Sequence, residues 1–265
     1  MPDPPEKTAL IYPSRLAALR AGLGPAGIDA LIVSRIENVR YLSGFTGSTA
    51  ALAVTPREAY LFTDSRYAEQ AAAEAPGFGV EVAPGLASTL ATHAALRLGS
   101  RKIGFEADAV TFDLWESMRG GLENRPDAVL VPCRGQVEGL RVIKSPEELA
   151  LMQKAVEITS AAFEQTLCLV KPGAVERDLA LEIEFRMKQA GAEDLSFDLI
   201  VASGPRSSLP HGRASDRVIG AGEFIVFDIG ARFGGYHSDM TRTVFIGTPK
   251  AADRNLYETV LRAQL

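Results

Sequence analysis

The chain has 265 residues, of which 46% are hydrophobic, and its formal net charge is -5. This length allows one large or two medium globular domains, and we take two as the working number. The charge is spread along the chain with no basic cluster that could neutralise phosphates, which argues against nucleic acid as a partner. Residues 1–9 lack the pattern of a secretory signal, and no apolar stretch approaches the length of a membrane span. We therefore expect a soluble, cytoplasmic protein that makes no contact with a membrane.

The first half of the chain alternates between helical and strand patterns, which is typical of an α/β domain. The patterns predict helices over 15–23, 67–74, 86–98 and 112–119, and strands over 30–33, 50–54, 59–62, 102–105 and 128–131. A polar, turn-rich stretch then interrupts the alternation. We place the domain boundary at its start, so that the first domain covers residues 1–132 and the second covers residues 133–265.

The second domain opens with a strong helix-start signal. Ser145 is a suitable N-cap, Pro146 fits the first turn, and Glu148 completes a capping box. Five positions at helical spacing predict the face that packs on a sheet, namely Leu149, Met152, Val156, Thr159 and Phe163. Charged pairs on the helices are interpreted as solvated surface.

After this helix the pattern changes from helices to strands. It predicts a second helix over 175–190, strands over 196–202, 223–229 and 236–246, and helical spacing again over 251–265. Strands grouped after helices predict an α+β domain with a curved antiparallel sheet.

The last two strand patterns flank a glycine-rich turn. A hairpin symmetric about Phe233 and Gly234 would place Asp228 directly opposite Asp239. Directly opposed side chains lie about 4.5–5.5 Å apart at Cβ, and like charges there destabilise a sheet. A divalent cation would offset this repulsion, because converging carboxylates supply the oxygen ligands that Mn²⁺ and Mg²⁺ prefer. A shared proton or the guanidinium of Arg242 would also do so, and the spacing alone leaves these alternatives open.

Three stretches, in this order, resemble the creatinase, prolidase and aminopeptidase P family of metallopeptidases. They are LRVIKSPEELALMQKA, SFDLIVASGPRSSLPHG and VFDIGARFGGYHSDMTRTVFIG. The resemblance implies an α/β N-terminal creatinase-like domain followed by a truncated α+β domain of the pita-bread fold. The first 130 or so residues match the family's smaller domain more loosely, including the stretch Thr63-Asp64-Ser65-Arg66-Tyr67.

The resemblance also implies roles for particular residues. Asp228 would be a terminal ligand of one metal ion, and Asp239 would bridge two. His211 matches the substrate-binding histidine that hydrogen-bonds near the scissile carbonyl, although without the resemblance its position favours a turn histidine satisfied by backbone. Thr241 faces the same side as Asp239, where it would contact the ligands. The implied cofactors are two divalent ions, with Mn²⁺ favoured by the carboxylate ligands and Co²⁺ or Zn²⁺ as alternatives.

The implied reaction is hydrolysis of Xaa-Pro peptide bonds, in proline-containing dipeptides or in short peptides, by a homodimer. The sequence leaves dipeptidase and aminopeptidase undecided, and a non-catalytic pita-bread module that binds peptides or proteins is the alternative from another class. The family's remaining ligands, one histidine and two glutamates, lie downstream of the hairpin. After His211 the sequence has only His237, and beyond the hairpin only Glu258. We therefore expect the activity to belong to the intact protein and the 265-residue chain alone to be inactive.

Overall fold

The computed structural model describes residues 11–82 and 86–265. The chain divides into two compact units, Met1–Ile143 and Lys144–Leu265. This division falls later than the predicted boundary between residues 132 and 133. Cys133 ends a strand of the first sheet, and Val137 is fully buried in the first core, so the polar stretch after residue 132 belongs to the first unit.

The described part of the first unit contains a six-stranded sheet with the strand order β4-β3-β2-β1-β5-β6. Its strands are β1 (Ala30–Val33), β2 (Ala50–Val54), β3 (Ala59–Thr63), β4 (Gly79–Val82), β5 (Lys102–Glu106) and β6 (Val129–Cys133). Its helices are α1 (Ile11–Leu23), α2 (Ile36–Ser43), α3 (Ala68–Glu74), α4 (Leu86–Leu96), α5 (Phe112–Gly120) and α6 (Glu138–Arg141). The β1–β2 and β2–β3 pairs are antiparallel, and the other pairs are parallel.

The sequence predicted most of these elements, including the full length of β1 and β2. It missed α2, a helix of only eight residues that ends at Gly44 in the left-handed conformation with φ 84°. It also missed β4, because this strand is half exposed and has no apolar run. Buried side chains form two clusters in this unit, as expected for an α/β layer arrangement.

The second unit, all of whose residues the structure describes, contains three α-helices, two short 3₁₀ helices (Leu167–Leu169 and Gly204–Ser208) and two small antiparallel sheets. The α-helices are α7 (Pro146–Thr166), α8 (Glu176–Gln189) and α9 (Ala251–Gln264). One sheet has the order β11-β10-β7, formed by Tyr236–His237, Ala231–Phe233 and Asp194–Leu195. The other has the order β12-β9-β8, formed by Met240–Phe245, Phe224–Ile229 and Ile200–Ser203. Only the end of the predicted strand over 196–202 is observed, as β8 from Ile200, while β7 lies just before the predicted range and belongs to the other sheet.

The predicted start of α7 is confirmed, but its predicted buried face is partly wrong. The Ser145 hydroxyl accepts a hydrogen bond from the Glu148 amide, and the Glu148 carboxylate accepts one from the Ser145 amide. Leu149 and Val156 are 54% and 44% exposed. The core is instead formed by a face that includes Ala155, Ile158 and Ala162. Small alanines let the helix lie close to its neighbours, and a hydrophobicity pattern does not rank them as core residues.

The described ranges 11–82 and 86–265 include no helix with both the length and the apolarity needed to cross a membrane.

Candidate functional site

The hairpin register differs from the prediction because its turn lies one residue later. Gly234 and Gly235 have φ of 60° and 79°, which is the two-residue turn that favours glycine at both central positions. Asp228 on β9 therefore pairs with Thr241 on β12, and not with Asp239. The predicted direct opposition of the two carboxylates is wrong, and so is the strong like-charge repulsion inferred from it.

The predicted strand over 236–246 is interrupted at Ser238 and Asp239, between β11 and β12. The register is the same on both sides of this break, with Arg232 paired to His237 and Ile229 paired to Met240. No residue is inserted, so the alternation of faces continues through the break. Asp239 precedes Thr241 by two positions and therefore lies on the same face of the sheet. Because Thr241 is paired with Asp228, Asp239 is a diagonal neighbour of Asp228 on the adjacent strand.

A buried hydroxyl pair fixes the break. Ser238 is 4% exposed, and its hydroxyl lies 2.7 Å from the hydroxyl of Thr159 on α7. The Ala231 amide donates to both hydroxyls, at 2.9 Å to Ser238 and 3.0 Å to Thr159. A side chain at Gly230 would collide with the Ser238 carbonyl oxygen. Because Ser238 faces α7, the next residue, Asp239, faces away from the core, and it is exposed.

Asp228 is half-buried on the face of β9 that lies opposite the helices. Its neighbours along the strand, Phe227 and Ile229, are fully buried in the core. The Thr241 hydroxyl donates to Asp228 Oδ1 at 3.0 Å, which confirms that Thr241 contacts this carboxylate. The hydrogen bond restricts the orientation of the carboxylate and leaves Oδ2 available to a further partner.

The same face of the sheet forms the floor of a concavity of about 200 Å³. Its walls combine strand residues with the loop that follows β8, and the lining residues are Ile200, Ala202, Ser207, Ser208, Leu209, Pro210, Val226, Asp228 and Thr241. The structure thus brings Asp228 and Thr241 together with the loop that carries His211. The His211 ring itself is exposed beside Pro210 and is not part of the lining.

The sequence missed a buried carboxylate behind this loop. Glu176, the first residue of α8, has no exposed surface. It accepts hydrogen bonds from Ser203, Arg206 and Ser215. Burial alone raises the pKa of Glu176, but the hydrogen bonds from Ser215 and Ser203 and the charge of Arg206 lower it below its ordinary value. Glu176 is therefore a buried anion, in contrast to the general expectation that charged groups on the helices are solvated.

A second ion pair adjoins the first. Arg217 forms a two-point contact with Glu223, at 2.6 Å and 2.7 Å, and also donates to the Ser203 hydroxyl. The hydrogen bond from Arg217 is the main reason that the pKa of Glu223 is lowered. The only signal for these pairs in the sequence is the clustering of charged and hydroxyl residues between two strands, which does not specify which groups meet.

The donor groups at the hairpin fit a hard cation. Carboxylate oxygens are the ligands that Mn²⁺, Mg²⁺ and similar ions prefer, and two of them share one face here. The described residues include no group of three or more His, Cys, Asp or Glu side chains placed to hold a metal ion. The donor set that the hairpin presents is therefore two carboxylates on one face.

Comparison with known proteins assigns both units. The model of the creatinase/prolidase N-terminal domain matches residues 15–143, and that of metallopeptidase family M24 matches residues 150–265. An uncharacterised peptidase of Bacillus subtilis, YqhT, is 40% identical over 94% of this chain and 70% of its own length. The Xaa-Pro dipeptidase of Pyrococcus furiosus is 44% identical over 48% of this chain, which is 37% of that enzyme.

Solved structures give the same result. The Xaa-Pro dipeptidase from Bacillus anthracis superposes with a TM-score of 0.89 at 37% identity, over 96% of this chain and 70% of that chain. The X-Pro aminopeptidase from Thermotoga maritima superposes with a TM-score of 0.81 at 35% identity, over 90% of this chain and 68% of that chain. The chain belongs to metallopeptidase family M24, with a creatinase/prolidase N-terminal domain ahead of a pita-bread domain that is truncated relative to these structures. The predicted family and fold class are confirmed.

Proposed function

We propose that the intact protein hydrolyses Xaa-Pro peptide bonds at a site with two divalent metal ions, to which Asp228 and Asp239 contribute ligands. The observation that carries this proposal is the shared face of the hairpin, where Asp228 and Thr241 line one concavity with the loop of His211. Diagonal neighbours in an antiparallel pair lie roughly 7–8 Å apart, which leaves space for cations between two converging carboxylates. The relatives named Xaa-Pro dipeptidase support the choice of substrate.

Each residue has a distinct part in this proposal. Asp228 would hold one ion through the oxygen that Thr241 leaves free, and Asp239 would be a ligand shared by the two ions. When bound at these residues, divalent ions would supply activation of a water molecule and polarisation of the scissile carbonyl. His211 hydrogen-bonds to the substrate near that carbonyl, from the tip of the loop. The apolar wall at Leu209 and Pro210 suits the ring of a substrate proline.

The 265-residue chain alone should not turn over substrate. Two carboxylates leave a hard ion mostly hydrated, and the family's remaining ligands are one histidine and two glutamates outside this stretch. We favour Mn²⁺ because the proposed ligands are mainly carboxylates, with Co²⁺ and Zn²⁺ as alternatives. We also propose that the intact protein is a homodimer.

The test compares the 265-residue chain with a protein extended to the length of the relatives. Both are treated with chelator, supplied with Mn²⁺, and assayed on an Xaa-Pro dipeptide and on a longer Xaa-Pro peptide. We expect turnover only from the extended protein, and its loss in Asp239→Asn. Asp178→Asn, an exposed carboxylate on α8, is the matched control and should retain activity. Turnover by the short chain, or full activity of Asp239→Asn, would contradict the ligand assignment.

Substrate length separates the two enzymatic alternatives. Preference for the dipeptide indicates a dipeptidase, and preference for the longer peptide indicates an aminopeptidase, the activity named for the Thermotoga maritima neighbour. An extended protein that binds Xaa-Pro peptides with no turnover under any of the three metals would instead be a binding module.

A further inference from the structure

The loop that carries His211 is held at its base by one buried carboxylate. We define the His211 loop as residues 203–217, between the end of β8 and the approach to β9. Glu176 lies beneath it with no exposed surface. Its Oε1 accepts from the amide and the hydroxyl of Ser203, at 2.7 Å and 2.8 Å. Its Oε2 accepts from the amide and the hydroxyl of Ser215, at 3.2 Å and 2.6 Å. One carboxylate thus joins the two ends of the loop.

Two arginines extend this contact. Arg206 donates to Glu176 Oε2 at 3.2 Å and to the carbonyl oxygen of Arg213 at 2.6 Å, so it spans the loop from one side to the other. Arg217 joins the Ser203 hydroxyl to Glu223 at the start of the next strand. Hydrogen bonds to charged groups are roughly twice as strong as neutral ones, and here they converge on a carboxylate shielded from water.

The held ends set the position of the loop tip. Residues 207–210 form one wall of the concavity above Asp228, and His211 follows directly. At its other side the Gly212 position packs closely, since a Cβ there would lie 3.3 Å from Ala202 Cβ on the sheet. The loop is therefore seated on the same strand pair that presents Asp228.

We propose that Glu176 is a positioning residue for the reaction, which holds the His211 loop against the Asp228 face of the hairpin and acts on substrate only through His211. This inference rests on the proposed function, in which His211 contacts the substrate. Glu176 does not line the concavity, so it has no direct contact with the bound peptide.

The variant Glu176→Gln tests this proposal. The substitution keeps the size of the side chain but replaces one acceptor oxygen by an NH₂ group, which then faces donors on Ser203 or Ser215 and loses the charge opposite Arg206. Glu182→Gln is the matched control, because Glu182 is on the same helix in a partly exposed pair with Arg186. Ser215→Ala is a milder second variant, which removes a single hydroxyl and leaves the carboxylate in place.

Three measurements on the extended protein separate the possible roles. Native-state hydrogen exchange should be at least about 10-fold faster in residues 204–214 of Glu176→Gln, because the base of the loop opens locally. Mn²⁺ affinity should stay within about 2-fold of wild type, since neither Asp228 nor Asp239 contacts Glu176. The kcat should fall by roughly 10- to 100-fold with a smaller change in KM, because misplacing a group that acts in the transition state lowers kcat.

A double variant gives the decisive comparison. If Glu176 acts through His211, then Glu176→Gln should have little further effect on kcat in a His211→Ala background, whereas independent effects would multiply. Ser215→Ala should change exchange and kcat in the same direction by a smaller factor, which covers the case in which Glu176→Gln does not fold.

The proposal is overturned by unchanged loop exchange in both variants, by unchanged kcat, or by multiplying effects in the double variant. Absence of turnover in the wild-type protein would count against the proposed function instead. In that event the exchange comparison still decides whether Glu176 holds the loop.

Discussion

The hydroxyl pair of Thr159 and Ser238 gives a prediction whose sign and magnitude follow from the structure. The buried amide of Ala231 donates to both hydroxyls, at 3.0 Å and 2.9 Å. We consider Thr159→Val, which keeps the side-chain shape, Ser238→Ala, and the double variant. Either single variant removes one hydroxyl, and the other hydroxyl can still accept a hydrogen bond from the Ala231 amide. The double variant removes both.

The magnitudes follow from this difference. Each single substitution loses the bond between the two hydroxyls and should cost about 1 kcal/mol in the free energy of unfolding, the usual net value of one hydrogen bond. The double variant also leaves a buried amide without either hydroxyl acceptor, which costs a further 1–3 kcal/mol or so. Because the bond between the hydroxyls is lost in both singles but only once in the double variant, we expect the double variant to lose about 2–4 kcal/mol, against a sum of about 2 kcal/mol for the singles.

Urea unfolding followed by far-UV circular dichroism measures this excess. The single tryptophan, Trp115, lies in the first unit, so its fluorescence reports separately on a unit that none of these substitutions touches. Native-state hydrogen exchange over residues 224–246 localises the effect. A double variant whose loss is smaller than the sum of the singles would refute the reasoning. So would a shift of the tryptophan transition as large as that of the second unit.

Two further predictions concern the same unit. Gly230→Ala should lower the free energy of unfolding of the second unit by roughly 1–3 kcal/mol, because the new Cβ would collide with the backbone of Ser238. Gly220→Ala is the control, since its Cβ would make ordinary contacts and should change this free energy little. Urea unfolding of both variants measures the difference. The folded-state pKa values of Glu176 and Glu223 are lowered, so their stabilising contribution is present above the unfolded-state pKa of about 4.3 and is lost as pH falls through the folded-state values. Urea unfolding between pH 6 and pH 3, with Glu176→Gln for comparison, should show a smaller acid loss in the variant, and an equal loss would contradict the assignment.

Local rules determined much of the second unit from sequence alone. Ser145, Pro146 and Glu148 fixed the start of α7 because an N-cap needs only residues within one helical turn. The turn at Gly234 and Gly235 also follows a local rule, since both positions have positive φ. The prediction centred the turn one residue too early, and that single step changed the partner of Asp228.

The three similar stretches pointed to the family, which the comparisons confirmed, and to Asp228, Asp239 and His211 as candidate residues. Their roles as ligands and substrate contact stay predictions, which the proposed assays address. The concavity joins Asp228 to a loop that precedes it in sequence, and this proximity results from the pairing of β8 with β9.

Other features depend on contacts between distant parts of the chain, which only the tertiary structure decided. Ser238 turns inward because Thr159, far earlier in the sequence, offers it a buried hydroxyl. Glu176 is a buried anion because the ends of a later loop bring their donors to it. The sequence does not distinguish a polar residue that is solvated from one that is buried and hydrogen-bonded. This difference in environment arises only when folding removes water and places the partners within hydrogen-bonding distance.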